Sequence, residues 1–272
     1  MTTSDIAARR TRFAELHAAD ELFVLPNPWD VGSARLLEAQ GFGALATTSA
    51  GLANSLGRHD QQVTRAELVA HVTELVAHTT IPVHVDSEAC FPGEPGGITE
   101  TVRLLAQAGA AGCSIEDVDP VTGPDILPVD VAAERVAEAA AAAHAPAVPM
   151  VLTARAENAL YGMGDLDDTI ARLVAYREAG ADVLYAPGLS DLDEITRVVR
   201  EVGRPVNVLA LPSVPPLGAL ASAGVRRVST GSLLALVAYG AMARAAQELL
   251  DGDTATYARG ALDGKLRGRA FS

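Results

Sequence analysis

The stretch IPVHVDSE, residues 81–88, decides how the rest of the chain is read. Ile81, Val83 and Val85 form the apolar part of a short buried strand, and Asp86 and Glu88 close it. Two carboxylates two residues apart at a strand end point to the same side. Like charges that close are costly unless something positive lies between them. A hard divalent cation that takes oxygen ligands, Mg²⁺ or else Mn²⁺, would resolve the conflict. About thirty residues on, GCSIED repeats the pattern, an apolar strand followed by Glu116 and Asp117.

Outward from these two strands, strand and helix patterns alternate. On the N-terminal side lie a helical pattern over 4–18 with Ser4 as its cap, a strand over 21–27, and a helix over 29–41 that starts near Asp30 and stops at Gly41. A second strand over 42–51 runs into a loop of small residues, and Thr64 opens the helix that precedes IPVHVDSE. On the C-terminal side a helix over 98–109 leads into GCSIED, and a loop over 118–128 carries Pro120, Pro124 and Pro128. Helices over 129–144, 165–180, 191–203 and 215–223 then alternate with the strands PMVLTARAE, ADVLYAP, PVNVLA and VRRVSTG. A helical region over 232–250 and a weaker one over 254–263 end the chain.

Eight strands each followed by a helix predict a parallel sheet, and eight units predict a closed (β/α)8 TIM-type barrel. A doubly wound open sheet is the alternative, but the chain has no strand-linked GxGxxG and no GxxxxGK[ST]. No linker divides it, so residues 1–272 are expected to form one domain with an N-terminal helix and C-terminal helices. With 49% apolar residues, a large core is available. The net charge of −13 argues against nucleic acid, whose phosphates need a basic surface. The two cysteines, Cys90 and Cys113, form neither a metal-ligand spacing nor a disulfide framework, as in a reducing cytoplasm. There is no run of signal-peptide type and no uninterrupted apolar stretch of ~18 residues, so no membrane span is expected.

In such barrels the chemistry sits at the C-terminal ends of the strands. Those positions hold Asn27, Ser49 with Gly51, Asp86 with Glu88, Glu116 with Asp117, Arg155, Tyr185, Asn207, and Ser229 with Thr230. Any one of these is commonly a cap or a rim residue, but several acids and one arginine on one rim are hard to explain by stability. Asp86, Glu88 and Glu116 form the acidic side, which Asp60 in the loop after the second strand can join; an ion-pair network with Arg155 is the alternative. Mg²⁺ keeps several waters and takes one or two carboxylates directly. Asp86 is therefore the expected direct ligand, with the other acids holding metal-bound water. The planar fork of Arg155 suits a carboxylate, with Glu157 and Glu116 as competing partners. Backbone N–H groups of Ser49, Ala50 and Gly51 can approach an anion, although the stretch also reads as a plain turn. Ser229 to Ser232 read as a cap cluster ahead of an anion site.

Four segments together, TTSAGLANSLGRHD (47–60), VDSEACFPG (85–93), GAAGCSIED (109–117) and TARAE (153–157), resemble the isocitrate lyase/phosphoenolpyruvate mutase superfamily, over nearly the whole chain. The resemblance implies a (β/α)8 barrel, often with the last helix swapped between subunits, in a homotetramer or dimer of dimers. It implies Mg²⁺ and an enolate of pyruvate or a related 2-oxo acid, formed while a C–C or P–C bond is made or broken. By the same resemblance Asp86 is the direct metal ligand, and Asp60, Glu88 and Glu116 hold metal-bound waters. Ser49 and Gly51 match the loop whose backbone binds the substrate carboxylate or enolate, and Arg155 and Asn207 match residues that contact substrate.

The departures bear on the reaction. The family's lyases carry a Lys-[Lys/Arg]-Cys-Gly-His motif after the Glu116 strand, where this chain reads DVDPVTGPDILP (117–128), with no Cys, His or Lys. Thr122 is the hydroxyl left to serve there, and Pro187 stands where many lyases have a Glu. The glycine and prolines of 117–128 suit a hinged lid. The expected function is a Mg²⁺-dependent lyase or decarboxylase of a small 2-oxo or 2-hydroxy dicarboxylic acid. Loss of carbon dioxide from an oxaloacetate-like acid suits best, because it needs no cysteine acid, and Tyr185 could protonate the product enolate. The alternatives are a phosphonopyruvate or phosphoenolpyruvate P–C bond enzyme, disfavoured by the lack of Lys and Arg over 117–128, and a barrel that binds a 2-oxo acid without turnover.

Overall fold

The computed structural model describes residues 2–118 and 125–272; Thr122 and half of the expected lid lie outside them. After helix α1 (Thr3–Ala18), the chain runs β1 (Phe23–Leu25), α2 (Val31–Gln40), β2 (Leu45–Ala46), α3 (Ser49–Ser55), α4 (Arg65–His78), β3 (Val83–Val85), α5 (Gly97–Gln107) and β4 (Gly112–Glu116). It continues α6 (Val129–His144), β5 (Val151–Arg155), α7 (Leu166–Glu178), β6 (Val183–Tyr185), α8 (Leu192–Val202), β7 (Val206–Leu209), α9 (Leu217–Ser222), β8 (Arg227–Ser229), α10 (Leu233–Leu250) and α11 (Gly264–Phe271).

The strands pair in parallel in the order β1-β8-β7-β6-β5-β4-β3-β2. The seam between β1 and β2 is bridged by the Ala46 N–H donating to the Pro26 carbonyl at 3.0 Å and by Asn27 Nδ2 donating to the Thr47 carbonyl at 2.7 Å. Asn27 Oδ1 also accepts from the N–H groups of Thr230 and Gly231, tying β1 to the end of β8. The expected barrel is therefore present and nearly closed, and Asn27 is one of the residues that fasten it.

Short strands suffice because both faces are buried, and each fully buried Val, Leu or Ile adds about 1.5–3 kcal/mol. Val83, Val85, Ile115 and Leu152 face the helices in the main core, and Val102, Val136 and Leu173 answer from α5, α6 and α7. Gly112 is needed for close approach: a Cβ there would lie 2.5 Å from the Val151 carbonyl oxygen and 2.8 Å from His84 Nδ1. Helix α1 plugs the N-terminal end, with Phe13 packed among Leu25, Ala46, Ala111 and Val151. Arg10 pins it by donating to the carbonyls of Ala106, Ala110 and Val148.

Three expectations are corrected. The cap of α1 is Thr2, in a capping box with Asp5, so Ser4 lies inside the helix. The strand expected over 42–51 is two residues long, because Thr48 caps a further helix, α3, that begins at Ser49. The helical pattern over 254–263 forms no helix; Asp263 instead caps α11, which packs on α2. Helix α10 is long and apolar enough to cross a membrane by length and composition alone, although its apolar run is interrupted. Among its residues only Ala235 is buried; Leu236, Val237 and Met242 are exposed, and Leu250 is 81% exposed.

Candidate active site

The C-terminal ends of the strands surround a cavity of about 170 Å³. Of the residues expected at the site, Ser49, Ala50, Asp60, Asp86, Arg155, Tyr185 and Asn207 line it. Glu88 and Glu116 stand behind this wall, and Gly51 is buried under it.

Asp86 follows directly on β3 and is held from several sides. Its backbone N–H donates to Thr47 Oγ1 at 2.9 Å, Oδ2 accepts from the Ser49 N–H at 3.0 Å, and Oδ1 accepts from Arg155 Nη1 at 2.8 Å. The chain then turns sharply. Glu88, Cys90 and Phe91 have φ values of 50°, 58° and 50°, the left-handed region that residues with a side chain rarely occupy. Strain of this kind costs roughly 1 kcal/mol or more per residue and persists where surrounding bonds impose it. Here Ser87 Oγ donates to the Ser114 carbonyl at 2.5 Å, the Cys90 N–H to the Ser87 carbonyl at 2.8 Å, and the Glu116 N–H to the Glu88 carbonyl at 3.1 Å. The turn keeps the Glu88 carboxyl beside Asp86 and Asp60.

Arg155, the last residue of β5, is the cation of this group. Its Nε donates to Glu157 Oε1 at 2.7 Å, and its Nη1 lies 3.4 Å from Glu116 Oε2. The guanidinium also sits over the Tyr185 ring, 5.3 Å from its centroid. Burial works against the Arg155 charge, but Glu157, Glu116 and Asp86 outweigh it and hold the group well above its ordinary pKa. The ion-pair network raised as an alternative is thus present, yet it does not balance. Asp60, Asp86, Glu88, Glu116 and Glu157 share one guanidinium. Burial, with Asp86 and Asp60 nearby, pushes the Glu88 carboxyl up to about 8. Burial likewise raises Glu116, against the pull of Arg155. Asp60 is raised by burial and by Asp86, although Ser49 bonds its side chain.

Such an excess of oxygen donors fits a hard divalent cation. Among the described residues no three His, Cys, Asp or Glu side chains converge to enclose an ion by themselves. That arrangement suits a metal held by one or two carboxylates, with water completing its shell.

The other expected residues take varied places. The stretch 49–51 is the first turn of α3. The Gly51 N–H is taken by Thr48 Oγ1 at 3.2 Å and the Ser49 N–H by Asp86, while Ala50 lies on the cavity wall. Gly51 is required by packing, since a Cβ would strike Thr48 Cγ2 and lie 3.1 Å from Trp29 Cβ. Asn207 spends its amide on Ser229 Oγ and Arg227 Nε, both at 2.9 Å. Burial pushes the Tyr185 phenol up to about 12, against Arg155, so it remains protonated. Asp117 points away from the cavity, where Tyr176 Oη, Arg172 Nη1 and the Glu157 N–H donate to it.

Sequence reading missed several contributors. His84, Thr153 and Arg227 line the cavity one layer below Asp86, Arg155 and Ser229. The two-residue strand period could have found them, because each lies two positions before a rim residue. Gln61 Nε2 donates to Glu116 Oε1 at 3.1 Å, and no sequence pattern marked it.

Comparison with known proteins places the chain. Residues 13–250 match the family model for phosphoenolpyruvate phosphomutase. A crystal structure from Burkholderia cenocepacia J2315, assigned only to the class lyase/mutase, superposes with a TM-score of 0.94 at 48% identity, covering 99% of this chain and 98% of that one. An uncharacterized protein of Mycobacterium tuberculosis is 35% identical over 89% of this chain and 90% of its own length. The probable 2-methylisocitrate lyase 1 of Corynebacterium glutamicum is 34% identical over 68% of this chain and 61% of its own length.

Proposed function

The chain belongs to the phosphoenolpyruvate phosphomutase family, and we propose that it is a Mg²⁺-dependent carbon–carbon lyase or decarboxylase of a small 2-oxo or 2-hydroxy acid. The observation that carries the reading is the cluster of Asp60, Asp86, Glu88, Glu116 and Glu157 around one arginine, of which Asp60, Asp86 and the arginine line a cavity of about 170 Å³. Asp86 would hold the metal directly, with Asp60, Glu88 and Glu116 acting through water. When bound, the ion would polarise a 2-oxo oxygen and its neighbouring carboxylate.

The chain's own groups supply the rest. Arg155 is fixed by Glu157 and can donate to the negative charge that develops as the bond breaks. The first turn of α3 spends its Ser49 N–H on Asp86, which fixes that carboxylate, and puts Ala50 on the cavity wall. Tyr185 keeps its proton at neutral pH and faces the cavity, so it is placed to hand that proton to a product enolate. Strand ends and the α1 plug close the cavity below, which limits water.

We further propose that the protein works as a homo-oligomer, with the exposed apolar face of α10 against a second copy and not in a membrane. Cys90 and Cys113 are buried and unpaired, which supports the expected cytoplasmic setting. The test of the reaction is a screen of 2-oxo and 2-hydroxy acids for pyruvate release, with Mg²⁺ and with a chelator. Metal-dependent release supports the proposal. Turnover of phosphonopyruvate alone would move the assignment to P–C chemistry.

A further inference from the structure

Behind the acidic rim, a second set of buried groups converges on Arg155 from the helix side of the barrel wall. Two of the three guanidinium nitrogens of Arg155 are spent, Nε on Glu157 Oε1 at 2.7 Å and Nη1 on Asp86 Oδ1 at 2.8 Å. Nη2 donates to nothing among the described residues and is the donor left for a ligand in the cavity that Arg155 lines. Asp86 and Glu116 compete for the fork, since Nη1 also lies 3.4 Å from Glu116 Oε2. A planar guanidinium freed at Nε could turn both of its outer nitrogens onto those two acids. Glu157 therefore decides whether Nη2 stays available.

Glu157 is itself held from behind. It follows the last residue of β5 by two positions and is buried, and its backbone N–H donates to Asp117 Oδ1 at 2.8 Å. Asp117 is the neighbour of Glu116, but successive residues of a strand point to opposite faces, so it leaves the cavity side to Glu116 and reaches α7. There its Oδ2 accepts from Tyr176 Oη at 2.5 Å and from Arg172 Nη1 at 3.2 Å. Arg172 Nη1 also donates to the Leu127 carbonyl at 2.8 Å, and the Leu127 N–H donates to the Asp117 carbonyl at 2.8 Å, which fixes the Asp117 main chain. A buried carboxylate is costly unless it is paired and hydrogen-bonded, and Asp117 is both. This assembly reaches the cavity through the Glu157 N–H.

We propose that Asp117, clamped by Tyr176 and Arg172, is a positioning residue of the site: through the Glu157 N–H it sets the carboxylate that holds Arg155 Nε, and so keeps Arg155 Nη2 free for an anionic ligand. The proposal rests on the functional reading above, in which Arg155 meets the developing negative charge, and it gives that arginine a support on α7. A donor aimed in advance needs no reorganisation when the charge appears. Loss of Asp117 therefore weakens anion binding while Asp60, Asp86, Glu88 and Glu116 remain in place.

The first arm of the test titrates oxalate into the full chain with Mg²⁺ by calorimetry. Asp117→Ala and Glu157→Gln are each expected to bind oxalate about tenfold more weakly than wild type, the scale on which outer partners of a ligand-holding group act. The double variant is expected to bind no more weakly than the weaker single variant, because the two groups act in series. Asp117→Asn keeps an oxygen for the Glu157 N–H and is expected to keep most of the affinity. Leu173→Ala empties a fully buried position on the same helix and is expected to melt earlier yet bind oxalate like wild type. Additive losses in the double variant, wild-type affinity in Asp117→Ala, or an equal loss in Leu173→Ala overturns the proposal. Should Asp117→Ala fail to fold, Tyr176→Phe takes its place in the same cycle. The second arm needs no ligand: in protein with isotope-labelled arginine, the Arg155 Nε–H is expected to exchange slowly with water in wild type and faster in Tyr176→Phe, and an unchanged rate overturns the proposal. Failure of oxalate to bind wild type would sink the functional reading, and the exchange rates would then decide whether Asp117 holds Arg155.

Discussion

Replacing Gly51 with alanine tests whether the first turn of α3 is fastened as described. The backbone at this position is ordinary helix, so the conformational freedom of glycine is not what is lost. What changes is space: the new Cβ would strike Thr48 Cγ2 and sit 3.1 Å from Trp29 Cβ. Overpacking of that kind costs about 1–3 kcal/mol. Thr48 can yield only by giving up its cap on the Gly51 N–H, which costs about 1 kcal/mol more. A sum of roughly 2–4 kcal/mol corresponds to a melting temperature lower by roughly 5–15 °C in a chain of this size. The shift of Thr48 also moves the Ser49 N–H away from Asp86 Oδ2, so oxalate affinity should fall with stability. Calorimetry gives the first quantity and oxalate titration the second. As a control, Gly57→Ala meets nothing within 4 Å but sits at a φ of 71°; it should lose stability and leave oxalate binding alone. A Gly51→Ala protein that melts and binds oxalate like wild type would refute the packing argument.

Other consequences follow from the same contacts. Glu157→Gln leaves Arg155 paired with Asp86 and Glu116 and weakens one hydrogen bond to a charged group; it should cost about 1–3 kcal/mol, to be read in a urea melt. His71 is driven down to about 4 by burial. Its folded pKa lies below its unfolded value, so stability is present above the unfolded pKa of about 6.5 and is lost as pH falls through that value toward 4. His71→Leu should therefore lose about 2 kcal/mol less than wild type between pH 7 and pH 5, measured by denaturant melts at both. The exposed run on α10 predicts that light scattering will find an oligomer in detergent-free buffer, and that Val237→Glu with Leu236→Glu will yield a smaller species.

What could be read from the sequence divides along physical lines. Alternation of strands with helices that end in glycine gave the barrel, because that signal is local and repeats eight times. The same two-residue period placed Asp86, Arg155, Tyr185 and Asn207 on one rim. It stopped one layer short: His84, Thr153 and Arg227 read as misplaced polar residues until the partners that hold Arg227, among them His17 on the α1 plug, came into view. The stretch TTSAG reads as a loop because small residues have weak local preference. Its helical state depends on the Thr48 cap and on the fit of Gly51 against Trp29. The left-handed turn at Glu88, Cys90 and Phe91 left no trace either, since glycine, the usual marker, is absent there. In sequence Glu157 reads as a competitor for Arg155; in the fold it is the group that aims it.

The central claim is that the acids around Asp86 form a metal-dependent site for an enolate-like ligand. The direct measurement is a thermal-shift titration with oxalate, a mimic of the pyruvate enolate, with and without Mg²⁺, on wild type and Asp86→Ala. At 100 times its dissociation constant a ligand stabilises by roughly 2.7 kcal/mol, or roughly 5–10 °C for a chain of this length. The account predicts that shift for wild type with Mg²⁺, and its absence when either the metal or the Asp86 carboxylate is removed. No shift in wild type, or one indifferent to both, would make the carboxylate cluster a structural ion-pair network and contradict the proposed chemistry.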